Sequence, residues 1–415
     1  MGTRMLNNII MFMLISSTGG LLFVFNRNQA FAALFFLVMF SLFYIGKRVK
    51  KTIYYSLLLS LLVVLLLFAI NFLFAINPQS LTKYSFFGIS IFITVLVLFY
   101  YSYQDDKKCL IESLYFVLKL ILFHSLFSFL VYFFVKEKLI LVSSAYHDIL
   151  TYNYLFFYSP KEANFATIFG LEINRNAGIF WEAGILQAYL NILFFLEMSI
   201  FKRNKYLLTL IILAIISTYS TTGLLLIIIQ LLYFSQIALR RNIALGLISL
   251  IGIPLFFLFS ANISDKIYGV GESSFQKRLL DLTQPFFIAL DYPINGVGLD
   301  LDRFQEVREE FYISSNINSV LNQVGLEQKV ETTSKGSTNS IMYLLAGMGF
   351  PTTILFIYML TKQQIIRNHR FIWLIIIFVS VMSEPLLFRP FFFMFIISGF
   401  MHFFYKIINH KKQLA

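Results

Sequence analysis

Apolar runs broken by short polar stretches repeat along almost the whole chain. Windows of about 20 apolar residues are the length that crosses a bilayer core as a helix. On that measure the expected spans are Ile9–Phe25, Ala30–Ile45, Ile53–Ile76, Tyr84–Tyr101, Leu110–Val135 and Asn176–Phe201. They continue with Tyr206–Tyr219, Thr222–Leu239, Ile243–Asn262, Asn339–Leu360, Phe371–Leu387 and Pro390–Tyr405, twelve in all. The stretch Tyr206–Leu239 is too long for one span, and Ser217-Thr218-Tyr219-Ser220-Thr221-Thr222-Gly223 divides it into two short helices. A transmembrane barrel would instead show strands of about ten residues with alternating polarity. Runs such as Ser56–Ala75 do not alternate, so the spans are helical.

Basic residues near the span ends set the orientation. With both termini cytoplasmic, eighteen Lys and Arg fall on the inner side, among them Lys47, Arg48, Lys107, Lys202, Arg240 and Lys411. Short outer loops then hold only Arg27, Lys83 and Arg389. Two long segments fall outside, Lys136–Arg175 and Ile263–Thr338, the second with amphipathic stretches at Phe275–Leu290 and Arg303–Leu321. The expected organisation is a membrane domain over 1–262 with an outer loop at 136–175, a large outer loop at 263–338, and a second membrane portion over 339–415. No internal repeat of the kind that builds many transporters is visible, and the outer mass lies in the second half.

Composition narrows the class. Of 415 residues 58% are hydrophobic and 13% charged, with mean hydropathy +0.77. Soluble domains carry about 25% charged residues, which excludes a soluble enzyme, a disordered chain and a coiled coil. The net charge of +12 reads as basic cytoplasmic loops rather than a nucleic-acid surface. One cysteine, Cys109, excludes an internal disulfide and a cysteine metal cluster. The first apolar run lacks a small-residue cleavage site and reads as a retained span.

Several constellations could carry chemistry. Arg175 and Glu182 flank Asn176-Ala177-Gly178-Ile179-Phe180-Trp181 at the mouth of the sixth span. Were the helix to include Arg175, the pair would lie two turns apart on one face, with Gly178 leaving room for a ligand. An arginine fork suits a phosphate; a structural Arg–Glu pair is the equal alternative. The Ser217–Gly223 turn, with Ser220, Thr221 and Thr222, offers hydroxyls and a helix N-terminus that favours anions, against ordinary capping. Lys277-Arg278 sits on an amphipathic helix. The Gly-x-Gly units at Gly269 and Gly296 lack the further glycine or lysine of a phosphate loop and read as turns. Asp300-Leu301-Asp302 lies on the wrong side for nucleotide sugars. Glu384-Pro385 and Arg389-Pro390 bracket the last hairpin, against a tight turn with interfacial charges; Glu112, Lys119 and His124 in the fifth span are weaker candidates, and His124 reads as a packed polar residue. No metal-ligand spacing and no nucleophile motif is visible.

The ordered set R-N-A-G-I-F-W-E-A-G, S-T-Y-S-T-T-G, Arg278, P-I-N-G-V-G and T-N-S-I-M-Y-L-L-A-G-M-G resembles the Wzy-type O-antigen polymerases, over about Arg175 to Gly349. The resemblance implies an all-α polytopic glycosyltransferase of the GT-C type in the bacterial inner membrane, with its site facing the periplasm. Its implied substrate is an undecaprenyl-diphosphate-linked oligosaccharide, transferred to a hydroxyl of the next lipid-linked repeat unit. A chain-length regulator and a flippase are the implied partners, and Arg175 and Arg278 the carried-over functional residues. The related O-antigen ligases, which transfer glycan to lipid A-core, carry a histidine near the end of the large outer loop; Ile263–Thr338 has none. Ala183 stands where a proline often follows the glutamate. A lipid-linked oligosaccharide flippase is the alternative of a different class, and would need charged groups at mid-membrane depth.

The chemistry is compatible with that resemblance. A sugar diphosphate lipid is already activated, so no nucleotide or metal cofactor is required. The protein must stabilise the departing diphosphate, which arginines do, and deprotonate the acceptor, which a carboxylate does. Glu182 is the expected base, with Asp291 and Glu384 in reserve. Asn176, Ser220, Thr221, Thr222, Asp291, Asn339, Glu384 and Arg389 are the expected substrate-binding residues, and the apolar spans would hold the polyprenyl tail.

Overall fold

In the computed structural model the described residues are all but 1, 47–49, 105–107, 145–146, 161–164, 169–170, 202–203, most of 239–271, 315–336 and 415. The chain is a mainly helical, multi-pass membrane protein. Among the described residues six helices are long and apolar enough to cross a bilayer: Phe23–Ile45, Lys51–Phe74, Leu81–Tyr103, Cys109–Lys138, Ser340–Thr361 and Pro390–His410. Four more apolar helices are shorter, Ala183–Ser199, Lys205–Ser217, Thr221–Ser235 and Arg370–Ser383. The expected span Ile243–Asn262 lies almost wholly outside the described residues. The chain divides into two compact units.

The first unit comprises Met1–Ile45, Gln104–Gly271 and Ile366–Ser380. Its helices are α1 (Gly2–Gly19), α2 (Leu21–Ile45), α5 (Cys109–Val135), α6 (Ala183–Ser199), α7 (Lys205–Ser217), α8 (Thr221–Ala238) and most of α12 (Arg370–Ser383). The first break falls at Gly20, earlier than the apolar pattern suggests, and Asn26 adds a kink inside α2. At the break Leu21 N–H donates to Ile179 O, and Gly20 bridges Phe180. α6 is buried along nearly its whole length. Three of its polar residues, Gln187, Asn191 and Glu197, make side-chain hydrogen bonds inside the protein. Asn191 Nδ2 donates to Gln187 Oε1, Gln230 Nε2 donates to Asn191 Oδ1, and Tyr115 O–H donates to Glu197 Oε2.

The expected outer loop 136–175 instead carries strands. β1 (Ile140–Ser143), β2 (Asp148–Tyr152) and β3 (Phe156–Tyr158) form an antiparallel meander with Leu141 opposite Leu150 and Leu150 opposite Tyr158. β4 (Phe165–Ile168) pairs with β5 (Leu171–Asn174). β-branched and aromatic residues dominate these stretches, and such side chains fit a pleated, half-buried surface. Asn153 and Tyr154 adopt left-handed backbone to make the tight turn before β3. Val135, Phe156 and Tyr158 pack together and seat the meander on the end of α5.

The second unit comprises Gly46–Tyr103, Glu272–Ile365 and Val381–Ala415. It contains α3 (Lys51–Phe74), α4 (Leu81–Tyr103), α9 (Glu272–Asp291), α10 (Leu301–Ser314), α11 (Ser340–Thr361) and α13 (Pro390–Leu414). α13 packs on α3, α4 and α11, and α9 packs on α10 and α11. α11 is broken at Gly349, whose φ of 75° and ψ of 174° are not helical. The reason lies two residues on. Pro351 has no N–H to give Gly347 O, and Phe350 N–H turns away to Pro293 O at 2.8 Å. Two carbonyls are left without helical partners, and buried carbonyls need donors. Val297 N–H donates to Ala346 O and Gly298 N–H to Gly347 O, each at 2.9 Å. Asn71 Nδ2 adds a second donor to Gly347 O at 2.8 Å. The Pro293–Gly298 segment is thus laced to the helix break by backbone bonds.

Candidate functional site

In the first unit, two constellations that are about forty residues apart in sequence come together. Asn176 N–H donates to Ser217 O at 3.0 Å, and its Nδ2 donates to Ser217 Oγ at 2.9 Å and Ser125 O at 3.1 Å. Arg175 Nε–H donates to Thr218 O at 3.0 Å, which fixes the guanidinium beside the Ser217–Gly223 turn. The arginine is half-buried, while Asn176 is buried. Ser220 is buried just before α8, and its Oγ accepts the Gly223 N–H, a capping bond. Thr221 and Thr222 open α8 and are half-buried. Gly223 has little room: a Cβ there would lie 2.9 Å from Gln187 Cβ. Asn176 has its amide hydrogens and carbonyl engaged, so it shapes the loop around Arg175.

The two-turn helical relation of Arg175 and Glu182 does not hold. α6 begins at Ala183, with Glu182 as its extended N-cap residue at φ −143° and ψ 148°. Three features keep the preceding residues out of the helix. Asn176 Oδ1 accepts from Gly178 N–H, Gly178 is left-handed at φ +58°, and Phe180 bridges to Gly20. The Glu182 carboxylate is half-buried at the positive end of α6 and has no hydrogen-bond partner among the described residues.

In the second unit the polar centre is a pair absent from the expectations. Asp281 on α9 and Arg308 on α10 are both buried, with Arg308 Nη2 3.4 Å from Asp281 Oδ1. Asp281 Oδ2 accepts from Thr338 N–H at 2.8 Å and Thr338 Oγ–H at 2.7 Å. Arg308 Nε–H donates to Gln284 Oε1 at 2.9 Å. Arg278 is half-buried one turn before Asp281. Asn339 caps α11, its Oδ1 accepting from Ile341 and Met342 N–H. The adjacent Ser340 Oγ–H donates to Glu384 O at 2.8 Å. Arg278, Asp281, Arg308, Thr338, Asn339 and Glu384 therefore belong to one polar region at the start of α11.

Asp291 is not part of it. It ends α9, exposed, thirteen residues or about 20 Å of helix beyond Arg278. Arg389 is half-buried at the start of α13. Gly296 and Gly298 do not cradle an anion; they lie against α11 as described. Gly269 is outside the described residues. His124 Nε2 bonds to Leu155 O at 2.9 Å and its ring stacks on Phe156, a packing role.

Asp300 and Asp302 share a partner. Lys83 Nζ donates to Asp300 Oδ1 at 2.6 Å and to Asp302 Oδ2 at 2.5 Å. Burial pushes the Asp300 carboxyl up, but the Lys83 hydrogen bond, the Asp302 N–H and the lysine charge outweigh it and hold the group below its ordinary value. A carboxyl lowered on folding stabilises the native state above its unfolded pKa, and that contribution disappears as pH falls through the folded value. The Tm difference between the protein and Asp300→Asn should be constant above about pH 5 and shrink below about pH 4. A pH-independent difference in a thermal melt would show that the lysine contact contributes nothing. Among the described residues no group of three or more His, Cys, Asp or Glu is arranged to hold a metal.

No family model matches the chain, and no curated protein matches it.

Proposed function

We propose that this protein is a polysaccharide polymerase of the inner membrane. It transfers an undecaprenyl-diphosphate-linked glycan onto the next lipid-linked repeat unit at the periplasmic face, within a frame of twelve spans. The observation that carries the reading is the ordered motif series from Arg175 to Gly349 on a multi-pass helical protein. Two of its arginines, Arg175 and Arg278, are half-buried beside polar clusters.

In this reading Arg175 stabilises charge on the departing diphosphate. Its bond to Thr218 O presets the guanidinium plane, so little reorganisation accompanies charge development. Arg278 is the second arginine proposed for anion stabilisation. Glu182 takes the proton of the attacking hydroxyl. The hydroxyl oxygen then bonds to the anomeric carbon as the bond to the diphosphate oxygen breaks.

The test is polymerisation of purified lipid-linked repeat units by the protein in proteoliposomes, read as a glycan ladder without any lipid A-core acceptor. Lysine at position 175 or 278 keeps the charge but loses the planar fork, and should lower turnover at least ~10-fold at equal expression. Glu182→Gln should depress kcat more than it raises KM. Near-full activity of both arginine variants would assign them to structure alone. No ladder from the unaltered protein, with glycan appearing only when lipid A-core is added, would replace the polymerase by the ligase.

A further inference from the structure

The β1–β3 meander lies against the second half of α5. Leu155 O accepts from His124 Nε2 at 2.9 Å, and Phe156 meets Phe127 with ring centroids 5.5 Å apart. Tyr158 O–H donates to Ser128 O at 2.8 Å, and its ring packs on Tyr132. These contacts fix a depth. α5 has 27 residues and measures about 40 Å, against a hydrocarbon core of ~30 Å. Lys108, just before its first residue, is exposed and charged, so the core begins no earlier than Cys109. At most about 10 Å of the other end can then project. His124 lies eleven residues, about 16 Å, before Val135. The Asn153–Leu155 turn beside it therefore lies at least about 6 Å below the end of an undisturbed core, and tilting α5 only deepens it.

Hydrocarbon tolerates a backbone group only when the protein itself supplies the partner. Leu155 meets that condition, since its N–H donates to Tyr152 O and its carbonyl is answered by His124. Asn153 and Tyr154 do not. Both are left-handed, and their peptide groups have no hydrogen-bond partner among the described residues. Protein does not cover them either. Tyr154 is 71% and Leu155 57% exposed, as open as Phe127 and Leu130 at 59% each. Those two belong to the apolar stripe Phe116, Leu120, Phe123, Phe127, Leu130 and Phe134 that α5 turns outward, so the turn borders the lipid-facing surface rather than a crevice. Ile140 and Leu141 of the edge strand β1 extend this apolar rim, while exposed Ser143 and Asp148 pair at the far end of the strands from the turn. We propose that the meander wedges into the leaflet around the second half of α5 and thins it, so that lipid headgroups come down onto Asn153 and Tyr154. Bilayers thin locally at a modest cost per Å, less than that of holding unpaired peptide groups in hydrocarbon. Tyrosine suits the headgroup level, with an apolar ring and a polar tip. This contact with lipid is independent of the polymerase reading.

The experiment measures depth by fluorescence quenching in phosphatidylcholine nanodiscs. Cys109→Ser removes the sole cysteine of the chain, and single cysteines are then labelled with nitrobenzoxadiazole. Leu155→Cys is the main site and Tyr154→Cys the second, both exposed and so free to carry a label. Ser143→Cys at the polar end of β1 gives the water reference, and Leu120→Cys, one turn before His124 on the outward stripe, gives the deep reference. The labels at 155 and 154 should emit to the blue of the 143 label. Nitroxides on the lipid headgroup or at acyl carbon 5 should quench them more than a nitroxide at carbon 12, while the 120 label should show the reverse order. Strongest quenching at 155 and 154 by the carbon-12 nitroxide would mean an unthinned leaflet and would overturn the proposal. Quenching by iodide but by no lipid nitroxide would replace lipid by a water-filled crevice. Protection from every quencher would mean that another protein or a second copy covers the turn. A shallow label at 120 as well would show that α5 projects instead.

Discussion

Asp281→Ala should lower stability by about 3–5 kcal/mol, because it leaves Arg308 buried without its counter-charge and removes the acceptor of two Thr338 bonds. In a thermal melt of the detergent-solubilised protein, a chain of 415 residues, this corresponds to a fall in Tm of roughly 3–6 °C. Asp281→Asn keeps an acceptor for Thr338 and isolates the loss of charge. The double variant Asp281→Leu with Arg308→Met should recover much of the loss, since replacing a whole buried pair by apolar residues is often neutral or better. The pairwise coupling from the full cycle should exceed about 2 kcal/mol. Additive single variants would show that the pair is not an energetic unit. Because Asp281 joins α9 to Thr338 and, through Arg308, to α10, its loss should also lower activity in the ladder assay more than thermal loss alone explains.

Gly296→Ala should be as damaging for a different reason. A Cβ at Gly296 would lie 2.3 Å from Ala346 O and 2.5 Å from Gly347 C, both backbone atoms, and φ there is +65°. Neither a rotamer change nor a side-chain shift relieves such a contact. The Val297 and Gly298 bonds to α11 must lengthen or break, at an expected cost of at least about 3 kcal/mol. Fluorescence-detected size exclusion after a temperature ramp would read this as loss of the monodisperse peak. Ile294→Ala, two residues away and exposed, should stay within about 0.5 kcal/mol. A tolerated alanine at 296 would mean that the segment does not need its close approach to the helix break.

Much of the helical frame was legible because long apolar runs have few alternatives. The expected Ile53–Ile76 and Tyr84–Tyr101 fall on α3 and α4, and the Ser217–Gly223 break separates α7 from α8. The strands at 140–158 are not legible in the sequence because short alternation in a segment between membrane helices resembles an irregular connection. The start of α6 is not legible because hydropathy counts Ala177, Ile179 and Phe180 as helix. The Asn176–Gly178 bond that helps prevent it is local, but the Gly20 bridge depends on atoms distant in sequence. Gly296 and Gly298 announced a turn, but nothing in their neighbourhood names Ala346 and Gly347 as partners. Asp281 and Arg308 lie 27 positions apart on two amphipathic helices, each an ordinary surface charge until the helices cross.

The burial of α6 bears on how the chain enters its membrane. At 17 residues the helix measures about 26 Å, short of a ~30 Å hydrocarbon core, and it carries Gln187, Asn191 and Glu197. A segment of that length and polarity partitions poorly into lipid by itself. Its partners are Tyr115 on α5, already synthesised, and Gln230 on α8, which is made later. α6 should therefore linger at the insertion machinery against α5 until α8 emerges, so a cysteine placed in α6 should cross-link to that machinery in a ribosome-stalled chain ending before Gln230 and lose the cross-link once the chain extends past α8.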